Sequence, residues 1–360
     1  MPPILSFLLR RLLAVPLTLI VITAALYGIS MLAPPERRAY LYVPPKVNLD
    51  ELMPDDPLMK SIIAQRHLDE PFLVQYAGWL EKMLHGDWGW SIGFKQEVLP
   101  FLLRRTPVTA ELLLWSSILF IPLGVLTGSW SAARRGKRLD HGVQLFAFIG
   151  TAIPIFLLAF VMLAIFYIGL KIFPLDRLSD ATKTLVASGA FHSYTGLVTI
   201  DGLLNGRPDV SLDALRHMAM PVLTLALAQW ATLNRITRTA VTEELDRDYV
   251  TVARGKGLRE RAVVLRHALG NALVPIVTSS AVSAASLITS VYLVELLFNF
   301  HGLSDVFAIT TAQASLFVTF DPAPAMGLAF YSVLIVLTIT FLLDVVHALV
   351  DPRLRERLGS

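Results

Sequence analysis

Residues 243–275 read EELDRDYVTVARGKGLRERAVVLRHALGNALVP, a charge-rich window lying directly between two long apolar runs. Its apolar positions are ordered. Leu245, Tyr249 and Val252/Ala253 recur at i, i+4 and i+7/i+8, which puts one narrow apolar stripe on an otherwise charged helix. Gly255-Lys256-Gly257 then stops or kinks that helix, because glycine takes the positive φ of a helix terminus at little cost. A second stripe follows in Leu258, Ala262, Leu265, Leu269 and Ala272/Leu273, with Arg259, Glu260, Arg261 and Arg266 pointing elsewhere. The window reads as two amphipathic helices joined by a glycine hinge. A helix lying flat on a membrane accounts for the stripe alone. An element that docks on a protein accounts for both the stripe and the charge.

The flanking sequence is that of a membrane protein. Of 360 residues, 54% are hydrophobic and 16% charged, and the mean hydropathy is +0.60. Soluble proteins carry about 25% charged residues. The net charge of +3 is too small and too scattered for nucleic-acid binding. Without cysteine there are no disulfides, thiolate metal sites, iron–sulfur ligands or thiol-linked lipid anchors.

A bilayer core takes roughly 20 apolar residues per helix. Six stretches qualify: Leu12–Ala33, Pro107–Trp130, Val143–Leu170, Met218–Asn234, Ala272–Phe298 and Ala325–Val350. The first follows Arg10 and Arg11 as a signal peptide would, but its run is too long and Pro34-Pro35 obstructs cleavage, so it reads as a retained span. Lysine and arginine set the orientation. With a cytoplasmic N-terminus, the four cytoplasmic segments hold 2, 4, 8 and 3 of them, and the short loop between spans five and six holds none. The two long external segments hold 9 and 5, but long loops cross largely regardless of charge. Both termini and residues 235–271 are therefore predicted to be cytoplasmic, in a multi-pass protein of the cell (inner) membrane.

The external segment 34–106 is long enough for a small folded cap. Within it, Phe72, Tyr76, Trp79, Leu80 and Met83 share one helical face, followed by Trp88 and Trp90. Such an aromatic face beside a membrane reads as an interfacial or packing element rather than a substrate contact. The second external loop, 171–217, is rich in Gly, Ser and Thr.

Several stretches, in order, resemble one family. DYVTVARGKGLRERAVVLRHALGNALVP (248–275) is similar to the cytoplasmic EAA-type loop of ABC-transporter permease subunits, and more narrowly to the B-type subunit of the dipeptide/oligopeptide/nickel permease family. LLRRLLAVPLTLIVI, LDEPFLVQYAGWLEKMLHGDWGWSI, RTPVTAELLLWSSILFIPLGVLTG, DHGVQLFAFIGTAIPIFLLA, RHMAMPVLTLALAQWATLNRITRTA and the C-terminal DPRLR resemble it too. There are departures. Gly255 stands where the family usually has Ala, His301–Ser304 reads HGLS for PGLG, and 306–325 matches poorly.

The resemblance implies an all-α integral membrane protein with six transmembrane helices in the type I ABC importer permease fold. Residues 1–33 are the N-terminal tail and first helix, and 34–106 the external loop or cap. Residues 107–360 are a five-helix permease core with a cytoplasmic coupling loop at 236–271 and a short cytoplasmic C-terminal tail. It also implies that Asp248, Tyr249, Val250, Ala253, Arg254, Lys256, Gly257 and Leu258 dock on an ATPase subunit. Tyr249, Val250 and Ala253 suit an apolar cleft, and Arg254, Lys256 and neighbouring acids suit its charged rim. Ser279, Ser283, Ser286 and Ser290 in span five are candidates for the pathway or the interface between two permease subunits. Gln229 and Asn234 in span four are further candidates for that pathway or interface, and candidate inter-helix hydrogen-bond partners. The implied partners are a second, homologous permease subunit, two ATP-binding subunits, an extracytoplasmic solute-binding protein and the lipid bilayer. The implied cargo is di- or oligopeptides.

Other chemistry is disfavoured by the residues themselves. The two Gly-Lys pairs, Gly136-Lys137 and Gly255-Lys256, lack the rest of a phosphate loop, so ATP and Mg belong to partner subunits and the chain itself is non-catalytic and needs no cofactor. The eight histidines do not pair at bilayer depth for haem. A secondary carrier or channel working alone is the alternative, and it would want carboxylates near mid-bilayer. Glu111 and Asp344, with His347 one turn on, sit near span edges and read as reaching water or headgroups. Gly124-x-x-x-Gly128 reads as a packing motif.

Overall fold

The computed structural model describes residues 3–39, 42–43, 47, 53, 56–91, 93–307 and 322–350. It divides into two compact units: Pro107–Gly302 with Met1–Leu8 and Ile339–Ser360, and Leu9–Thr106 with Leu303–Thr338. The second unit thus groups most of the first helix, the segment after it and much of the last helix.

In that unit, α1 (Pro3–Ser30) leads through α2 (Pro35–Ala39) to α3 (Pro57–Arg66) and α4 (Phe72–Leu84). Local rules set α3. Asp56 caps it by accepting from the Leu58 N–H at 2.8 Å, Pro57 opens it, and His67 ends it in the left-handed region at φ 54°. Buried Arg38 holds the chain together by donating to the carbonyls of Leu68 (2.6 Å) and Ala33 (3.0 Å) and to Gln75 Oε1 (2.5 Å). The aromatic face of α4 packs as its spacing predicts. Tyr27 of α1 meets Phe72, Tyr76 and Trp79 at ring distances of 6.2, 6.0 and 5.3 Å, and the Tyr76 and Thr23 hydroxyls share a hydrogen bond of 2.8 Å. Phe330, on the last helix α15 (Pro322–Val350), receives Trp79 and Trp88 edge-on at 5.9 and 5.3 Å. Each such pair contributes about 1 kcal/mol beyond its buried area. A two-residue hairpin, β1 (Trp90–Ser91) with β2 (Gln96–Glu97), then leads directly into α5 (Val98–Ala133).

The other unit is built around α10 (Pro208–Leu245), which fully buries Ala214, Met220, Leu225, Ala231, Leu233 and Val241. Its 38 residues span about 57 Å at 1.5 Å per residue, well beyond a hydrocarbon core of about 30 Å. Only Met218–Asn234 is apolar enough to be read as a span, and the charged turns on either side continue the same helix. Gly124 and Gly128 of α5 meet α10 closely. A Cβ on Gly128 would lie 2.6 Å from the Asn234 carbonyl oxygen, and one on Gly124 would lie 2.9 Å from the Leu233 side chain. The packing motif is real.

Among the described residues, four helical stretches are long and apolar enough to cross a membrane: α5, α10, α14 (Leu273–Phe298) and Ala323–Phe341 of α15. Helix α1 has 28 residues, of which Ala14–Ser30 is a shorter apolar stretch. The expected third span, Val143–Leu170, is not one straight helix. It is α6 (Arg138–Ala152) and α7 (Ile155–Met162), the latter continuing as a π turn over Leu163–Gly169, with a bend of 106° between the two halves. The cause is Ile153-Pro154. Proline lacks the N–H that would continue the ladder and pushes the residue before it out of the helical region; Ile153 sits at φ −86°, ψ 120°. Two short helices, α8 (Asp180–Val186) and α9 (Val198–Leu204), lie in the loop before α10.

Candidate functional site

The charged window begins where α10 ends. Helix α11 (Asp248–Gly255) is followed by a turn at Gly257, φ +76°, and then by α12 (Glu260–Ala262), a π turn over Val263–Ala268 and α13 (Leu269–Asn271). The hinge falls where the glycines place it, and the conformation at position 257 is one that residues with a Cβ adopt at a cost of about 1–2 kcal/mol. Arg254 closes the turn as a fork, donating from Nε and Nη2 to the two Glu260 carboxylate oxygens at 3.1 and 2.7 Å. That pairing holds the Glu260 carboxyl below its ordinary range. Tyr249 donates its hydroxyl to Glu244 at 2.6 Å, and burial pushes its own titration upward.

This geometry corrects the expected docking set. Val250 is fully buried and Ala253 nearly so, packed on Val263 with Leu245 and Tyr249 against them. They are the core of the hairpin formed by α11 and the segment after it, so neither side chain is available to fill a partner's cleft. The face turned outward carries Asp248, Thr251, Val252, Lys256 and Leu258, with Val252 56% and Leu258 42% exposed. Val252 lies on the apolar stripe without being among the expected docking residues. Two stripes that fold onto each other consume the positions at their centre and leave the flanks.

Asp140 of α6 is buried and accepts four hydrogen bonds. Arg238 of α10 supplies two at 2.7 Å, Ser131 of α5 one at 2.5 Å and the Gly136 N–H one at 3.0 Å. The clamp ties the ends of three helices within eight residues of the end of α10. The sequence alone does not reveal it, since charges at span edges read as solvent-facing and nothing in their spacing pairs residue 140 with residue 238.

Further along α10, Asn234 is fully buried and accepts from Thr127 at 3.1 Å, and Trp230 donates to the same Thr127 hydroxyl at 2.9 Å. Asn234 is the inter-helix partner its type predicts; Gln229 is half-buried outside this network. In α14, Ser283 is buried, Ser279 and Ser290 are half-buried, and Ser286 is exposed with its hydroxyl donated to the Ser283 carbonyl at 2.8 Å. The four serines therefore do not share one environment.

The reading of Glu111 also changes. It is fully buried, not open to water or headgroups. Thr199 donates from its N–H and its hydroxyl at 2.7 Å each, and Arg177 pairs with the carboxylate at 2.6 Å. The loop before α10 folds over it, which apolar run lengths do not report. Glu295, near the end of α14, was not singled out from the sequence. It too is fully buried, accepting from Thr109 at 2.5 Å, and Gly302 lies against its carboxylate, where a Cβ would fall 2.3 Å from Oε1. Asp344 and His347 have side chains outside the described residues.

Comparison with known proteins places this arrangement. The family described as "Binding-protein-dependent transport system inner membrane component" matches residues 121–356, which contain the hairpin, the clamp and helices α6 to α15. The chain belongs to this family. Its relatives include the di/tripeptide transport system permease protein DppB of Pseudomonas aeruginosa, 29% identical over 98% of this chain and 99% of the relative. The probable D,D-dipeptide transport system permease protein DdpB of Escherichia coli is 33% identical over 85% and 86%. The oligopeptide transport system permease protein OppB of Mycobacterium tuberculosis is 32% identical over 80% and 82%. As an inner membrane component of the ABC permease class, the chain is the membrane part of a binding-protein-dependent transporter, and a secondary carrier working alone is not favoured.

Proposed function

We propose that this inner membrane component is one of two homologous membrane subunits of an ATP-driven importer of di- and oligopeptides, itself non-catalytic, and served by two ATP-binding subunits and an extracytoplasmic solute-binding protein. Six crossings are counted when α1 and the bent α6–α7 pair each make one, which puts both termini and residues 235–271 on one side, and the distribution of Lys and Arg supports the cytoplasm as that side. The observation that carries the reading is the α11 hairpin. Its interior is closed by its own Val250, Ala253 and Val263, and it still presents Val252 and Leu258 beside Lys256 and Asp248. A membrane-surface helix has no use for a self-packed core behind a mixed apolar and charged face, whereas a docking knob does. Rocking of the knob reaches the spans through α10 and the Asp140–Arg238 clamp. The peptide assignment is supported by the relatives, which are named as di/tripeptide, D,D-dipeptide and oligopeptide permease proteins.

The test is uptake of labelled dipeptides and tripeptides by cells in which this subunit is present or deleted. Loss of peptide uptake on deletion, restored by the wild-type chain and not by Leu258→Asp, is the expected result. Unchanged peptide uptake on deletion overturns the cargo assignment; full rescue by Leu258→Asp overturns the docking face.

A further inference from the structure

Near the start of α10, at the end of that helix away from the hairpin, the π turn after α7 and the loop that follows it border an open cavity of about 490 Å³. Tyr167, Ile168, Ile172 and Phe173 line it together with two cations, Lys171 and Arg216, and among the described residues no carboxylate is in its wall. Arg216 is held in place, donating from Nε and Nη2 to the Ile172 carbonyl at 3.3 and 3.1 Å. A carbonyl orients a guanidinium without cancelling its charge. Lys171 stands in the left-handed region at φ 53°, a conformation unfavourable for a residue with a Cβ. Two acids close by in sequence have partners of their own. Asp213 accepts from the Ser179 N–H and hydroxyl at 3.0 Å each, and Asp176 is held by Lys183 at 3.1 Å and by Asn299.

Exposed apolar residues flank the lining in sequence: Ile168 in the wall and Ile165, Leu170 and Leu212 beside it are 66, 46, 58 and 66% accessible. Two unopposed cations beside that much open hydrocarbon, with a tyrosine at the boundary, match an amphiphile with an anionic head. A free anion would leave the rim unused. We infer that this cavity binds an anionic phospholipid, with Lys171 and Arg216 holding the headgroup phosphate and the acyl chains lying along Ile165, Ile168 and Leu212.

The experiment is native mass spectrometry of the delipidated full chain, offered an equimolar mixture of phosphatidylglycerol and phosphatidylcholine. Selective retention of phosphatidylglycerol is expected, falling about fivefold for each cation removed in Lys171→Ala, Arg216→Ala and the double variant. Lys171→Gly removes the charge and relieves the backbone, so it should lose lipid without any loss of thermal stability. Lys137→Ala, which removes an exposed cation outside the cavity and far along the chain from it, should retain lipid as wild type. Equal retention of the two lipids, or undiminished phosphatidylglycerol in the double variant, overturns the proposal. Displacement of the lipid by millimolar inorganic phosphate reassigns the site to a free anion, and its displacement by a protein partner reassigns it to an interface; both overturn the lipid assignment.

Discussion

Introducing a carboxylate at Val250 or at Val252 separates the two roles within α11. At Val250 the charge enters the closed interior against Val263, where an unpaired carboxylate costs several kcal/mol. Val250→Asp should therefore unfold the hairpin and speed tryptic cleavage after the already exposed Arg254 and Arg259 in the solubilised chain. Val252→Asp should leave the digestion pattern unchanged and reduce the amount of ATPase subunit recovered with the chain. A second residue-scale prediction concerns the buried Glu111–Arg177 pair. Arg177→Ala strands a carboxylate that keeps only its Thr199 donors, and should destabilise the chain by about 3 kcal/mol in thermal melting. Adding Glu111→Gln to that variant removes the stranded charge and should recover part of the loss. Equal melting of wild type and Arg177→Ala would mean the pair contributes nothing to stability.

Helix packing supplies a matched pair of tests. Gly128→Ala has no room, since its Cβ would meet a backbone oxygen at 2.6 Å, and the two helices must separate to admit it. Gly142→Ala on α6 meets nothing within 4 Å. The first should lower the melting temperature of the solubilised chain, and the second should raise it slightly, by up to about 1 kcal/mol of stability. If both behave alike, close packing of α5 on α10 is not what Gly128 provides. Legibility in the sequence varied by element for identifiable reasons. Helices α14 and α15 were read almost to their ends, because apolar runs flanked by polar residues mark both boundaries. The third span was misread as straight because run length counts apolar residues across Pro154, while that proline ends the hydrogen-bond ladder. Helix α10 was read at less than half its length because its charged ends carry no hydropathy signal. In the site, the hinge at Gly257 was legible from local backbone chemistry. The inward turn of Val250 and Ala253, the Asp140–Arg238 clamp and the burial of Glu111 were not, because each depends on a partner far away in sequence.

For the molecule as a whole, the central claim is that the 248–258 face docks on an ATP-binding subunit at the cytoplasmic side. The absence of native cysteine makes it directly testable. Leu203, 63% exposed on α9, provides the marker for the opposite side. A cysteine there should react with an impermeant maleimide in intact cells, in which cysteines at 252 and 258 should stay unlabelled. The decisive measurement is labelling of Val252→Cys, Leu258→Cys and Val250→Cys in inside-out membranes, with and without the ATPase subunits. Positions 252 and 258 should label readily in the stripped membranes and be protected when the subunits are present, while 250 should label in neither. Equal labelling of 252 and 258 whether or not the ATPase subunits are bound would contradict the account.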